Sequence, residues 1–305
     1  MLATNDHARR MTWGDVFAAN GVRVASRALL ISQGATGKAL TDAVRTRQLV
    51  RARRDHYLLP TDSRDVISAI RVGGRMDCAS ALRDVGIFAF DSAATHVRLD
   101  HEMSRMRSTR SRFIPLTDRN RSNLRLHWWP STTDPRESPY SVDIEDALAA
   151  SLRCQVGWHA LASIDNAIHQ RALSEGAADR LFDEAPRRVQ HLRSQIDGRA
   201  ESGQETVLRM IAVSAGLQVE LQVVVPGVGR VDMIVEGALV MEADSREAHD
   251  GWERHIEDRR RDLILGEHGY MALRPAYQHT MYEPHLVRAS MLGLLDQSSN
   301  FRRHV

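Results

Sequence analysis

The stretch Ser202 to Asp244 reads SGQETVLRMIAVSAGLQVELQVVVPGVGRVDMIVEGALVMEAD. Its punctuation decides the fold class. Ser202 can cap a helix, Thr206 to Ala215 carries the helical run, and Gly216 stops it. Gln218 to Val225 follows as a valine-rich strand ended by Pro226-Gly227. The chain then turns into a second strand, Arg230 to Val235, and Glu236-Gly237 turns it again into a third, Ala238 to Asp244. A charged helix over about residues 250–268 ends at Gly269, and Tyr270 to Arg274 forms a last short strand. The order α, β, β, β, α, β predicts an α/β core.

Carboxylates fall at telling places in that order. Glu205 lies in the first helix, Asp232 on the second strand, and Glu242 and Asp244 at the end of the third. Alternation along a strand puts Glu242 and Asp244 on one face, and Asp232 on the hairpin partner can point to the same place. Such oxygen ligands suit Mg²⁺ or Mn²⁺, which turns water into a nucleophile and stabilises the leaving oxygen in phosphodiester cleavage. Without a cation the cluster would repel itself. Each acid also has a structural reading. Ser202-x-x-Glu205 matches a capping box, Asp232 and Glu242 have arginine pairing as their alternative, and Asp244 can cap the turn that follows. His249 can equally be a surface or capping residue, and Arg259, Arg260 and Arg261 read as a solvated helix face oriented by Asp258 and Asp262.

Toward the N-terminus the chain changes character. Residues 1–60 carry ten basic side chains against four acids, a net +6 in a chain whose total is only +2. Thr12 onward reads as a first helix, Ser26 caps a second, Gly34 breaks it, and Thr36 or Gly37 opens a third with Leu40, Ala43 and Val44 at helical spacing. Leu49 to Pro60 alternates and then turns, as a two-stranded wing would. The expectation is a winged helix that offers Lys38, Arg45, Arg47, Arg51, Arg53 and Arg54 to DNA. Gly34-Ala-Thr-Gly37-Lys38 is not a phosphate-binding loop, because Ser32 stands where its first glycine is needed and Ala39 where its hydroxyl is needed. Between about 65 and 200 come a helix from Ser63 to Ile70, short mixed segments, and a run containing Arg105, Arg107, Arg110, Arg112, Arg119, Arg121 and Arg125. That run reads either as a solvated loop or as a second phosphate-contacting surface. Residues 142–195 read as helices with Leu148, Leu152, Leu161, Ile164 and Ile168 in the core. Turn-rich residues 197–203 mark a boundary, so the expected domains are 1–64, 65–200 and 201–305.

Composition excludes several classes. With 305 residues, 43% hydrophobic and 26% charged, the chain has the makings of a folded multidomain protein. No apolar run approaches the ~20 residues of a membrane span, and the first residues lack a signal-peptide core, so a cytoplasmic, non-membrane protein is expected. Two cysteines, Cys78 and Cys154, cannot make a four-thiolate zinc site. Lys38 is the single lysine among 41 basic residues, so lysine-base and Schiff-base chemistry has one candidate.

At Ser202 to Glu205, Val231-Asp232, Glu242-Ala-Asp244 with His249, Asp258-Arg-Arg-Arg-Asp262 and Ala272-Leu-Arg274, the chain resembles the PD-(D/E)XK nuclease superfamily, and more closely its Vsr-like branch. The resemblance covers about residues 202–296. It implies a restriction-endonuclease-like core and metal-dependent DNA cleavage, with Asp232 and Glu242 holding Mg²⁺ (or Mn²⁺), Asp244 and Glu205 completing or orienting the site, and His249 moving a proton. Position 244, where the superfamily carries lysine, is aspartate, which this branch resembles in placing Asp or His there. Ser245 replaces the usual glycine, and Arg246 or Arg254 is the expected phosphate stabiliser in place of the lysine. The front end is also similar to the AbiEi-type antitoxin and regulator family. That resemblance implies promoter-DNA binding without cleavage and a toxin or other protein partner.

Overall fold

The computed structural model describes residues 12–90, 93–244 and 252–302. It is a mixed α/β protein with several small sheets. The chain divides into two compact units, Met1–Ala81 with Asp91–Ala150 and Leu82–Phe90 with Ser151–Val305. Residues 151–200 therefore group with the C-terminal αβββαβ run.

Unit 1 begins with α1 (Trp13–Ala19), α2 (Arg27–Ser32) and α3 (Gly37–Arg45). Hydroxyls start all three: Thr12, Ser26 and Thr36 each accept a backbone N–H from the first turn, at 3.2, 3.0 and 3.1 Å. Thr12 and Asp15 close a reciprocal capping box. Strands β1 (Val50–Arg53) and β2 (His56–Leu58) form an antiparallel hairpin whose turn places Asp55 at φ 64. The Asp55 carboxylate accepts the Arg27 N–H at 2.6 Å, tying the hairpin to α2. Val16, Phe17, Leu30, Leu40, Ala43, Leu49 and Tyr57 make one apolar core beneath the helices and hairpin.

The rest of unit 1 starts from α4 (Arg64–Val72), capped by Ser63 and closed by Gly73 at φ 109. The left-handed φ is what favours glycine there, and the Arg53 guanidinium fills the space a Cβ would take, 2.2 Å from its position. After β3 (Arg75–Met76) and α5 (Cys78–Asp84) come β4 (Thr95–Arg98), a hairpin of β5 (Arg107–Ser108) and β6 (Ser111–Pro115), and β7 (Leu124–His127). The order in the main sheet is β3-β4-β7, with β4 antiparallel to β3 and parallel to β7.

Unit 2 takes up the chain with α6 (Ile144–Cys154), in which the division between units falls, then α7 (Gly157–His169) and α8 (Glu175–Arg180). Leu161 and Ile164 are fully buried, as the helical spacing requires, as are Leu148 and Leu152 of α6, whereas Ile168 is half-buried. The αβββαβ run then follows as α9 (Gly203–Ser214), β8 (Val219–Val225), β9 (Gly229–Val235), β10 (Leu239–Met241), α10 (Trp252–Glu267) and β11 (Met271–Leu273), with α11 (Tyr277–Tyr282) and α12 (Pro284–Arg302) behind it. The sheet order is β11-β10-β9-β8. Strands β8, β9 and β10 are antiparallel hairpin neighbours, and Glu236 and Gly237, both at positive φ, make the tight turn between the second pair. Strand β11 lies parallel to β10, the pairing that needs a long crossover such as the one containing α10.

Candidate functional site

Register places the site. Met233 pairs with Leu221 and Met241, and Met241 with Leu273, so the next row across the sheet is Gln222, Asp232, Glu242 and Arg274. Ladder pairing is interrupted at Gln222 opposite Asp232, and Gln222 holds a left-handed φ of 55. The apolar cores change over at the same row. Leu221 and Met233 pack with α9 residues Val207, Leu208 and Ile211, while Val223 and Val231 pack with Ile264 and Leu265 of α10. Simple alternation would have kept Val231 and Met233 on one face. The polar row therefore sits where the sheet is locally broken and no apolar core claims it.

The acids of this row differ in what holds them. Asp232 is half-buried, and its Oδ2 accepts the Ala243 N–H at 2.7 Å. Burial pushes its carboxyl up to about 6, and the negative charges of Glu205, Glu242 and Glu201 push the same way against the Ala243 hydrogen bond. Glu205 is buried in the first turn of α9, where burial also raises its carboxyl. Its Oε2 accepts from the Glu201 N–H at 2.9 Å and from Gln222 Nε2 at 3.0 Å, while Ser202 Oγ accepts the Glu205 N–H at 3.2 Å. Helix capping and site geometry thus draw on one residue. Glu242 is bound through both oxygens, to Arg261 at 2.7 Å and to Arg274 Nε at 2.6 Å. Arg274 also pairs with Asp262, which takes Arg259 at 3.1 Å.

Asp244 is exposed and lies three residues past the end of β10, where an isolated parallel bridge to Ala276 continues the pairing. His249 and Arg246 lie outside the described residues, as does the Arg254 side chain. The solvated-face expectation for Arg261 does not hold: besides Glu242 it donates to the Val228 carbonyl at 2.8 Å. Gln222 and the roles of Arg261 and Arg274 were not read from the sequence. Counting the register from β9 through β10 to β11 is the signal that finds Arg274.

Oxygen donors alone make up the acidic part of the row, the chemistry that suits Mg²⁺ or Mn²⁺. Among the described residues no three acidic side chains bring ligand atoms within 4.8 Å of one another. The set does not fit a closed cage. Mg²⁺ also binds through one or two carboxylates with water completing the shell, a mode the Asp232 carboxylate can serve and one that Glu242 can serve where an arginine gives way.

The basic candidates sort by exposure. Lys38, Arg45, Arg47 and Arg54 are exposed on α3, the turn after it and the hairpin tip, with Arg45 3.1 Å from Asp42. Arg51 is half-buried, its guanidinium 5.7 Å from the Tyr57 ring centroid. Arg53 is committed inward, donating to the carbonyls of Val72 at 3.0 Å and Arg105 at 3.0 Å, and is held there by the fold. No family model, curated protein or solved structure matches this chain. The nuclease-like and antitoxin-like resemblances accordingly rest on the quoted residues and on the element order.

Proposed function

We propose that this is a DNA-binding, divalent-metal-dependent endonuclease in which the α1–β2 region acts as a winged helix and unit 2 as a restriction-endonuclease-like core. The observation that carries the reading is Asp232: a carboxylate crowded by Glu205, Glu242 and Glu201, raised to about 6, at a broken row of the sheet. Crowded acids cost stability and are kept where a cation or proton is used. Asp232 and Glu242 would hold the Mg²⁺ or Mn²⁺, which when bound supplies the activated water and charge stabilisation at the leaving oxygen. Glu205 orients the row through Gln222, and Arg261 and Arg274 set the position of Glu242 and offer positive charge to a phosphate. Asp244 and His249 are proposed to complete the site and move a proton, and Lys38, Arg45, Arg47 and Arg54 to contact backbone phosphates.

One observation favours the rival reading, a DNA-binding regulator or antitoxin that does not cleave. Both Glu242 oxygens are already held by arginine, so metal binding there has to displace a guanidinium. Incubating supercoiled DNA with the protein in Mg²⁺, in Mn²⁺ and in EDTA, beside Asp232→Asn, separates the two. Metal-dependent nicking lost in the variant supports the enzyme. DNA binding with no cleavage under any metal supports the regulator, and then a protein partner is the object to seek.

A further inference from the structure

The β5–β6 hairpin of unit 1 breaks the usual rule for a short edge strand. Phe113, Ile114 and Pro115 are consecutive and exposed, with Phe113 at 74% and Ile114 at 50%. Apolar edges of this kind invite aggregation and are normally blunted by charge or cover. Here they are surrounded by arginine. The Arg112 guanidinium lies 4.3 Å from the Phe113 ring centroid, covering one ring face, and Arg110 is exposed at the hairpin tip.

The hairpin is also tied to the elements beside it. Arg71 of α4 donates to the Thr109 carbonyl in its turn at 2.7 Å, and Arg53 donates to the Arg105 carbonyl just before it at 3.0 Å. Strand β6 packs beside β1 with Arg112 near Arg51, and Arg107 of β5 lies near Arg53; each like-charged neighbour adds to burial in lowering the Arg112 and Arg53 guanidinium pKa. Among the described residues no carboxylate pairs with Arg51, Arg107, Arg110 or Arg112, and a polyanion relieves such crowding.

We infer that the β5–β6 hairpin is a single-stranded DNA contact, in which Phe113 stacks on an unpaired base while Arg110 and Arg112 take the flanking phosphates. This rests on and deepens the DNA-binding part of the proposed function, and it draws on residues other than those of α3 and the carboxylate row. A planar ring with one face on guanidinium and most of its surface in solvent is suited to a base, and a preformed anchor loses little entropy on binding.

The test uses the full chain and fluorescence anisotropy with labelled dT20, a 20-base-pair duplex and U20. Phe113→Ala should weaken dT20 binding by about 5- to 100-fold, the range of one lost base stack, with its salt dependence unchanged. Phe113→Trp should retain the wild-type affinity, and Arg112→Ala should reduce the slope of log affinity against log salt by about 0.7. Because Phe113 is exposed, circular dichroism should show an intact fold in each variant. If Phe113→Ala binds dT20 as tightly as wild type while duplex binding persists, the hairpin proposal falls and the DNA reading stands. If the wild-type chain binds no DNA, both fall. Phe113-dependent binding of U20 in preference to dT20 overturns the assignment to DNA.

Discussion

Asp77 in unit 1 and Asp232 in unit 2 each sit in or beside a small mixed sheet, yet one is satisfied and the other is not. Asp77 is fully buried, and its Oδ2 meets Arg98 at 2.7 Å and His127 Nδ1 at 2.7 Å, while its Oδ1 meets Arg98 at 3.0 Å and the Cys78 N–H at 2.8 Å. Arg98 in turn donates to the Trp129 and Pro130 carbonyls at 3.1 and 2.6 Å, so the whole set fixes the end of β7. Asp232 has acids for neighbours and a backbone amide for support. A buried charge surrounded by matched donors is architecture. A half-buried charge surrounded by its own sign is a cost that function has to justify.

The largest effect should come from breaking the satisfied site. Asp77→Ala leaves the Arg98 guanidinium, 3% exposed, without its carboxylate, and should cost about 3–5 kcal/mol of stability, read by urea denaturation at neutral pH. A loss under about 1 kcal/mol would erase the contrast with Asp232. Glu242→Gln comes next. It removes the anion between Arg261 and Arg274, and should destabilise unit 2 by about 1–3 kcal/mol, since hydrogen bonds to charged groups are worth that much. An equal or greater stability would mean that the arginines find other partners and that Glu242 is not part of the frame.

Asp232→Asn should move the other way. A carboxyl raised to about 6 binds its proton more readily in the folded state than in the unfolded chain, whose value is near 3.8. Stability therefore falls as pH rises through the window from about 4 to about 6, and the ionised group is a net cost at pH 7. Removing the charge should stabilise the protein by about 1 kcal/mol at pH 7, because solvent screens part of a half-buried charge, and should flatten the pH profile. Asp165, also pushed up to about 6 by burial despite its 2.9 Å pair with Arg209, will leave a residual slope of the same sign. Denaturation midpoints at pH 5, 6 and 7 for wild type and variant decide it, and an Asp232→Asn protein less stable at pH 7 would place Asp232 with Asp77.

These contrasts were unevenly legible. Helix starts at Ser26, Thr36, Ser63 and Ser202 declare themselves because a hydroxyl cap acts within three residues of its own position. The αβββαβ order and the hairpin turns around Gly227 and Gly237 are equally local. The sheet of β3, β4 and β7 was not legible, because its strands are two to four residues long and the parallel β4–β7 pair spans residues from Thr95 to His127. Nor was the commitment of Arg53 to the end of α4, or of Arg261 to Glu242. Arginine side chains reach across elements, and one sequence does not say which carbonyl or carboxylate they meet. Nor does alternation reach Asp244, three residues past the last residue of β10 at an isolated bridge to Ala276.

The smallest effect separates two arginines that the sequence treats alike. Arg45 sits on α3 with its side chain 76% exposed, in an i,i+3 pair with Asp42, and such pairs contribute little. Arg45→Ala should change stability by less than about 0.5 kcal/mol, and under the proposed DNA-binding role it should lower the slope of log affinity for duplex DNA against log salt by about one. Arg53→Ala should do the reverse: it strips the donors from the Val72 and Arg105 carbonyls and empties the space against Gly73, so stability drops while the salt slope holds. Measured side by side, the pair tests whether exposure alone distinguishes an arginine offered to DNA from one that the fold has already used. Equal salt slopes for both variants and wild type would remove α3 from the DNA-binding surface.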